Sequence, residues 1–415
     1  MLSEESLEIL ESVDTDQTIE NFSLHTYKPF NSSNLSWNDE ICIPVQNKNL
    51  VCLPHLSYLY ISGKVVDGND YTFDYNGLAH LFTSLSYELN GYVIDHVTNV
   101  GATSTLKAYL SSSTIEASYY ESIGLKHGDA YNIWYDGTNK EIRIYLPLKY
   151  LLGFFEDYNK IIINSTHELV LIRAKDDSNV FYPTKVDLTN IPKIQLTEVS
   201  WKLPQLELSD ATCIHFLNII KQNKEIFLPF RTWDMYEFPS IPSSTSLSWN
   251  IKTTNTLLKP RYIIITFQTG RKNNYKAMIS QYDTVSLESF QLFLNERRYP
   301  YELPEIDFEK KQYSLLYENF SNFYSNYYKQ PLQTPYFNLT EFATMIPMIV
   351  IDCSRQRDNF NIYAPNAVHS GGPLNIRLDL SFRKNVPKDT NINCLIIYDK
   401  LFSYKAMDGI VRQIL

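Results

Sequence analysis

The chain has 415 residues, a net charge of −9, 44% hydrophobic and 14% aromatic residues, and 31 Tyr beside 22 Phe. That length allows two or three domains, the apolar fraction suffices for large cores, and the aromatic surplus leans towards strands. Lys and Arg never run longer than two and no apolar run approaches about 18 residues, which argues against direct sequence-specific nucleic-acid binding and against a membrane-spanning helix.

The first twenty residues, MLSEESLEILESVDTDQTIE, are acidic and read as an N-terminal arm, residues 1–24. Leu7, Ile9 and Leu10 are set among glutamates, which leaves two readings open: contact with another chain, or a disordered terminus. The stretch lacks the basic and apolar regions of a secretory leader, and the five cysteines contain no CxxC, so a reducing compartment is expected.

Leu-Ser-Trp-Asn then appears at 35–38 and again at 247–250. Each copy is followed by a proline and a strand ending in glycine, LPHLSYLYISGKV (53–65) and LKPRYIIITFQTG (258–270). Next come LFTSLSYELNGYVID (81–95) and LESFQLFLNERRYPYE (287–302), both a strand, Leu-Asn and a turn. Helical spacing follows at 104–110 and, as a stripe of Tyr313, Leu316, Tyr317, Phe320, Tyr324 and Tyr327, over 310–328. Each half closes on long strands, including IRIYLPL (142–148), HELVLIRA (167–174), MIPMIVID (345–352), LNIRLDLSF (374–382) and INCLIIYDKLFSY (392–404). In LNIRLDLSF, Leu374, Ile376, Leu378, Leu380 and Phe382 share one face. The spacing between landmarks shortens from 212 to 206 and 205, as in duplicated units with altered loops.

The expected fold is therefore all-β: two tandem units, each a sandwich or barrel for which the eight-stranded, two-sheet jelly roll is a common form, with short helices in the connecting loops. The first unit is expected over 25–203 and the second over 204–415, with the boundary near Trp201–Pro204.

Catalytic chemistry is poorly served. The histidines at 25, 55, 80, 96, 127, 167, 215 and 369 have no metal-ligand spacing, and there is no HExxH, GxSxG or phosphate loop; FQTGRKNN (267–274) lacks the required glycines. His127 and Asp129 suggest a turn. Glu156 and Asp157 in GFFEDY (153–158) offer paired carboxylates, but on an extended strand they face opposite sides. In VIDCSRQR (350–357), Cys353 would need an activating base, with His369 the nearest in sequence, or Arg355 to lower its thiol pKa. Packing of Cys353, with Asp352 and Arg355 satisfying backbone groups or each other, is the simpler expectation. No catalytic, cofactor-binding or metal residue is predicted, no cofactor is expected, and an enzyme is not expected. A tandem β-sandwich carbohydrate- or receptor-binding protein is one reading of such a chain.

The segments LAHLFTSLSYELNGYVI (78–94), LPLKYLLGFFEDYNKIIINSTHELVLIR (146–173), SLESFQLFLNERRYPYE (286–302), MIVIDCSRQ (348–356) and INCLIIYDKLFSYKAMDGIVRQI (392–414) together resemble the double jelly-roll major capsid proteins of the Polinton/Maverick and adintovirus type, which include endogenous copies in animal genomes. The resemblance runs from about Gln17 to the C-terminus. It implies two rolls standing perpendicular to a shell, homotrimers with a pseudo-hexameric outline, and an icosahedral capsid. It also implies penton and minor capsid partners, a separate packaging motor or basic core protein, and a place in the virion. Synthesis would be in the host cytoplasm, with assembly there or in the nucleus. Compactness implies no large surface towers.

Overall fold

The computed structural model describes residues 18–30, 35–48, 50–67, 71–126, 133–184, 192–254, 258–331, 333–354 and 373–414. Eight principal strands form the first roll: β1 Ile19–Tyr27, β2 Glu40–Val45, β3 Tyr58–Val66, β4 Phe82–Leu89, β5 Tyr92–Thr98, β6 Glu141–Pro147, β7 His167–Arg173 and β8 Lys193–Leu208. Eight more form the second: β9 Glu225–Phe238, β10 Ser246–Ile251, β11 Pro260–Thr269, β12 Leu287–Leu294, β13 Arg297–Tyr299, β14 Ile349–Asp352, β15 Ile376–Phe382 and β16 Thr390–Lys405.

Pairing makes the duplication explicit. The first roll has sheets in the order β1-β8-β3-β6 and β2-β7-β4-β5, and the second repeats both orders as β9-β16-β11-β14 and β10-β15-β12-β13. All of these pairs are antiparallel. Each unit is thus an eight-stranded jelly roll, and the chain is a tandem of two. Short strands at Val51–Cys52, Ile162–Ile163 and Tyr135–Asp136 extend the first sheet.

The patterns that suggested strands have their expected physical origin. In β15 the residues Ile376, Leu378, Leu380 and Phe382 are buried while those between them are half-buried. By contrast β11 is buried along nearly its whole length. One face meets the opposite sheet of its own roll, where Phe267 lies edge-on to Phe382 at 5.9 Å. The other is covered by helix α4, Ser314–Tyr328, whose Phe323 ring sits 4.9 Å from that of Tyr262. A strand covered on both faces reads as a continuous apolar run rather than an alternation.

The remaining helices named below are α1 (Val100–Ser111), α2 (Gly153–Asp157) and α3 (Asp210–Lys221). Helix α1 is buried despite its polar composition, because its hydroxyls are satisfied internally. Ser104 Oγ donates to the Val100 carbonyl at 2.6 Å and accepts from Asn76 Nδ2 at 2.7 Å.

Three local expectations are corrected. The two Leu-Ser-Trp-Asn copies are not equivalent: strands β2 and β10 start at Glu40 and Ser246, 206 positions apart, and not at the 212 of the tetrapeptides. Trp37 is 42% exposed in the turn before β2, whereas Trp249 is 8% exposed inside β10. Second, GFFEDY is not extended but forms α2. Third, β8 runs unbroken through Trp201–Pro204 to Leu208, because β1 pairs along that half, Tyr27 opposite Trp201 and Leu24 opposite Pro204. Of the acidic arm, residues 1–17 lie outside the described residues, while Ile19–Leu24 belong to β1.

Candidate functional site: the seam between the two rolls

Helix α2 packs against strand β9 of the second roll. It begins at Gly153, where a Cβ would stand 1.8 Å from the Arg231 carbonyl oxygen, so only hydrogen fits. Three residues on, Glu156 and Asp157 reach the other roll together. A helical turn makes this possible, since neighbouring side chains there differ by about 100° and not by the 180° of a strand.

Arg231, in β9, meets Asp157 with both its guanidinium and its backbone. Its Nε donates to Asp157 Oδ2 at 2.7 Å, a terminal nitrogen donates to Oδ1 at 2.5 Å, and its own N–H donates to Oδ2 at 2.8 Å. The other terminal nitrogen donates to the Tyr327 carbonyl at 2.7 Å, and the guanidinium lies 3.5 Å from the Tyr327 ring centre. Burial opposes the Arg231 charge, but the Asp157 carboxylate holds its pKa well above the usual guanidinium value.

Lys107, on α1, is 2% exposed and donates to Glu156 Oε1 at 2.7 Å and to the Tyr328 hydroxyl at 2.8 Å. Burial pushes its ammonium pKa down, and Glu156 works against that shift. Tyr327 donates to the second Glu156 oxygen at 3.0 Å, and Tyr328 donates to the first. The Lys107 ammonium also stands over the rings of Trp233 and Tyr327, at 4.8 and 4.4 Å. Two further carboxylates cross the seam. Asp95 accepts from Thr232 Oγ1 at 2.6 Å and from Phe154 N at 2.9 Å; Asp74 accepts from Ser280 Oγ at 2.5 Å and Ser280 N at 3.1 Å. Arg231 is paired with Asp157 and Lys107 with Glu156, while Asp95 and Asp74 are met by neutral donors, so none of these buried groups is left without a partner.

Chemically, the carboxylates of the seam are occupied in ion pairs and hydrogen bonds. Glu156 and Asp157 are both committed, one to Lys107 and two tyrosines, the other to Arg231. Cys353 is fully buried, and burial first, then Asp352, pushes its thiol pKa far above the ordinary range. Asp352 caps the turn by accepting from Ser354 N at 2.9 Å. Arg355, His369, His127 and Asp129 lie outside the described residues. His167 is buried with a ring nitrogen 2.8 Å from the Tyr87 hydroxyl, and burial lowers its pKa to about 4. Among the described residues, no three His, Cys, Asp or Glu side chains are grouped to hold a metal ion.

Sequence reasoning singled out Glu156 and Asp157 but missed Lys107, Arg231 and Gly153. The available signal was charge in otherwise apolar runs: a lysine inside STLKAYL and an arginine inside FLPFRTW, each needing a buried partner.

The thiols give a direct check of burial. In the folded chain a water-soluble disulfide reagent is expected to label exposed Cys213 first. Cys42 should follow slowly, since burial and then Glu40 push its thiol to about 11. Cys52, raised to about 12 by burial, and Cys353 and Cys394 should react only after denaturation. Peptide mapping of the labelled sites reads the order. Rapid labelling of Cys353 in the native chain would revive a thiol chemistry.

A family model described as double jelly roll-like domain matches residues 71–402. Among solved structures, the cryo-EM structure of the Sputnik virophage aligns over 100% of this chain and 92% of its own, with 9% identity and a TM-score of 0.65. The crystal structure of the mavirus major capsid protein aligns over 100% and 93%, with 12% identity and a TM-score of 0.59. A quasi-atomic model of the PBCV-1 virus capsid aligns over 98% and 99%, with 10% identity and a TM-score of 0.64. At such identities the likeness is one of fold. No curated protein matches the sequence.

Proposed function

Because the chain belongs to the double jelly roll-like domain family, we propose that it is a structural capsid protein: the major subunit of a viral or virus-like shell. The observation that carries this reading is that both rolls, and nearly the whole length of both chains, align with solved viral capsid subunits of the same double plan. The finer reading is a homotrimer of the Polinton/Maverick and adintovirus type. Two similar lobes per chain, taken three times, give a pseudo-hexameric capsomer that tiles an icosahedral surface beside penton and minor capsid proteins. Function then resides in surfaces, with no turnover and no cofactor.

The seam supports the same reading. A capsomer of three chains has a defined outline only if the two lobes of each chain keep one relative placement, and the Arg231–Asp157 pair, with the hydrogen bonds of Tyr327 and Tyr328 to Glu156, holds that placement. Closed trimers use head-to-tail contacts, and obligate interfaces of this kind bury roughly 2,000 Å² or more with an apolar centre. The edge strand β1 offers such material, with Ile19 48%, Phe22 53% and Leu24 47% exposed.

The test is the solution mass of the purified chain by light scattering. The expected species is near three times 48.4 kDa, or a larger closed particle. A monomer at all concentrations and salt conditions would sink the trimer and favour a tandem sandwich binding protein.

A further inference from the structure

We propose that the acidic N-terminal segment, residues 1–17, docks in cis on an apolar groove along helix α3, covering the end of the molecule where the two rolls are joined. The inference is independent of the capsid reading.

The groove, of about 350 Å³, has a floor of Leu50, Val51, Ile163, Leu208, Phe216 and Ile220. Helix α3 has no buried residue, and its Ile214 and Leu217 are 60% and 54% exposed. Phe216 and Ile220 pack partly against the core, but Ile214 and Leu217 stay uncovered by the described residues, an arrangement that water penalises.

Three observations point to residues 1–17 as the occupant. The first is position. Ile19 pairs with Leu208, itself part of the floor, and the Thr18 carbonyl accepts from Ser209 N at 3.1 Å. The preceding chain therefore emerges at the start of α3. The second is reach. The 12 residues of α3 span about 18 Å, and 17 residues cover that distance even at the short helical rise of about 1.5 Å each. The third is chemistry. The segment carries Glu4, Glu5, Glu8, Glu11, Asp14 and Asp16, with no Lys or Arg, around Leu2, Leu7, Ile9, Leu10 and Val13. The charged side chain lining the groove is Lys48, and Lys221 and Lys224 stand at the far end of α3. Apolar residues meet an apolar floor, and the acidic residues meet Lys48 on the groove and Lys221 and Lys224 beyond it, with Asp210 at the opposite end of the helix.

Cys213 lines the groove and is exposed, which makes docking measurable. Full-length chains carrying Cys42→Ser with either Leu7→Cys or Leu10→Cys are oxidised mildly, separated without reductant and mapped by mass spectrometry. The expected product is an intrachain disulfide joining Cys213 to position 7 or 10. In parallel, Leu7→Ser/Leu10→Ser should speed amide exchange across residues 210–221 by about tenfold, because the helix loses its cover. An interchain disulfide would overturn docking in cis and assign the groove to a neighbour's segment. No disulfide at either position, with exchange unchanged in the serine variant, would overturn the proposal altogether.

Discussion

Arg231→Ala is expected to destabilise the chain by about 3–5 kcal/mol, the range for removing one member of a buried ion pair. Arg231 is 5% exposed and holds Asp157 through two side-chain donors, so truncation strands a carboxylate where water does not reach. It also removes the cation that spans Tyr327 and the donor to that residue's carbonyl. Calorimetry should show more than a lower transition. With the fastening gone, the two rolls should begin to melt separately, since each keeps its own pair of sheets. The double variant Arg231→Met/Asp157→Leu should recover most of the loss, because apolar replacement of both partners removes the uncompensated charge. An Arg231→Ala protein that melts like the parent would mean that the seam does not hold the rolls together.

Gly153→Ala is expected to be as damaging or worse, about 4 kcal/mol or more, through steric contact alone. The added methyl would meet the backbone carbonyl of Arg231, which cannot rotate away as a flexible side chain can. Relief requires α2 to retreat from β9, and that movement pulls Asp157 off Arg231 and Phe154 off Phe230, whose rings lie 5.2 Å apart across the seam. Denaturant titration of the variant should give a lower midpoint, and the yield of folded chain should fall with it. Gly137→Ala is the control, since a Cβ there meets only the edge of the Tyr135 ring at 3.9 Å. If both variants matched the parent, the close approach at Gly153 would be discounted.

How much of this was legible in the sequence differs by level. Alternation in LNIRLDLSF and the continuous run in RYIIITFQT read correctly as strands, because burial on one or two faces writes itself into residue order. The duplication was also legible, though through the spacing of strands and turns and not through the tetrapeptide that suggested it. Trp37 and Trp249 occupy different environments, so four shared letters carried no structural equivalence. Helix α3 was missed: DATCIHFLNIIK is apolar on several sides and follows a long strand, and its exposure leaves no clean stripe to detect.

The seam was half legible. Glu156 and Asp157 stood out as paired carboxylates, but their meaning turned on whether GFFED was strand or helix, and five residues are too few for either period to declare itself. Their partners lie 49 and 74 positions away in the chain, at Lys107 and Arg231. No local pattern specifies such pairing: the packing of α2 on α1 within the first roll brings Glu156 to Lys107, and the packing of one roll on the other brings Asp157 to Arg231. Aromatic content was informative about amount but not about place. Tyr327 is buried in the seam, while Tyr301 is 80% exposed.

The most direct test of the central claim is single-particle electron microscopy of the purified assembly, averaged without imposed symmetry. A shell subunit of this plan predicts particles of three chains with six lobes, each chain contributing its two rolls. Two-lobed single chains, or dimers with a two-fold outline, would contradict it.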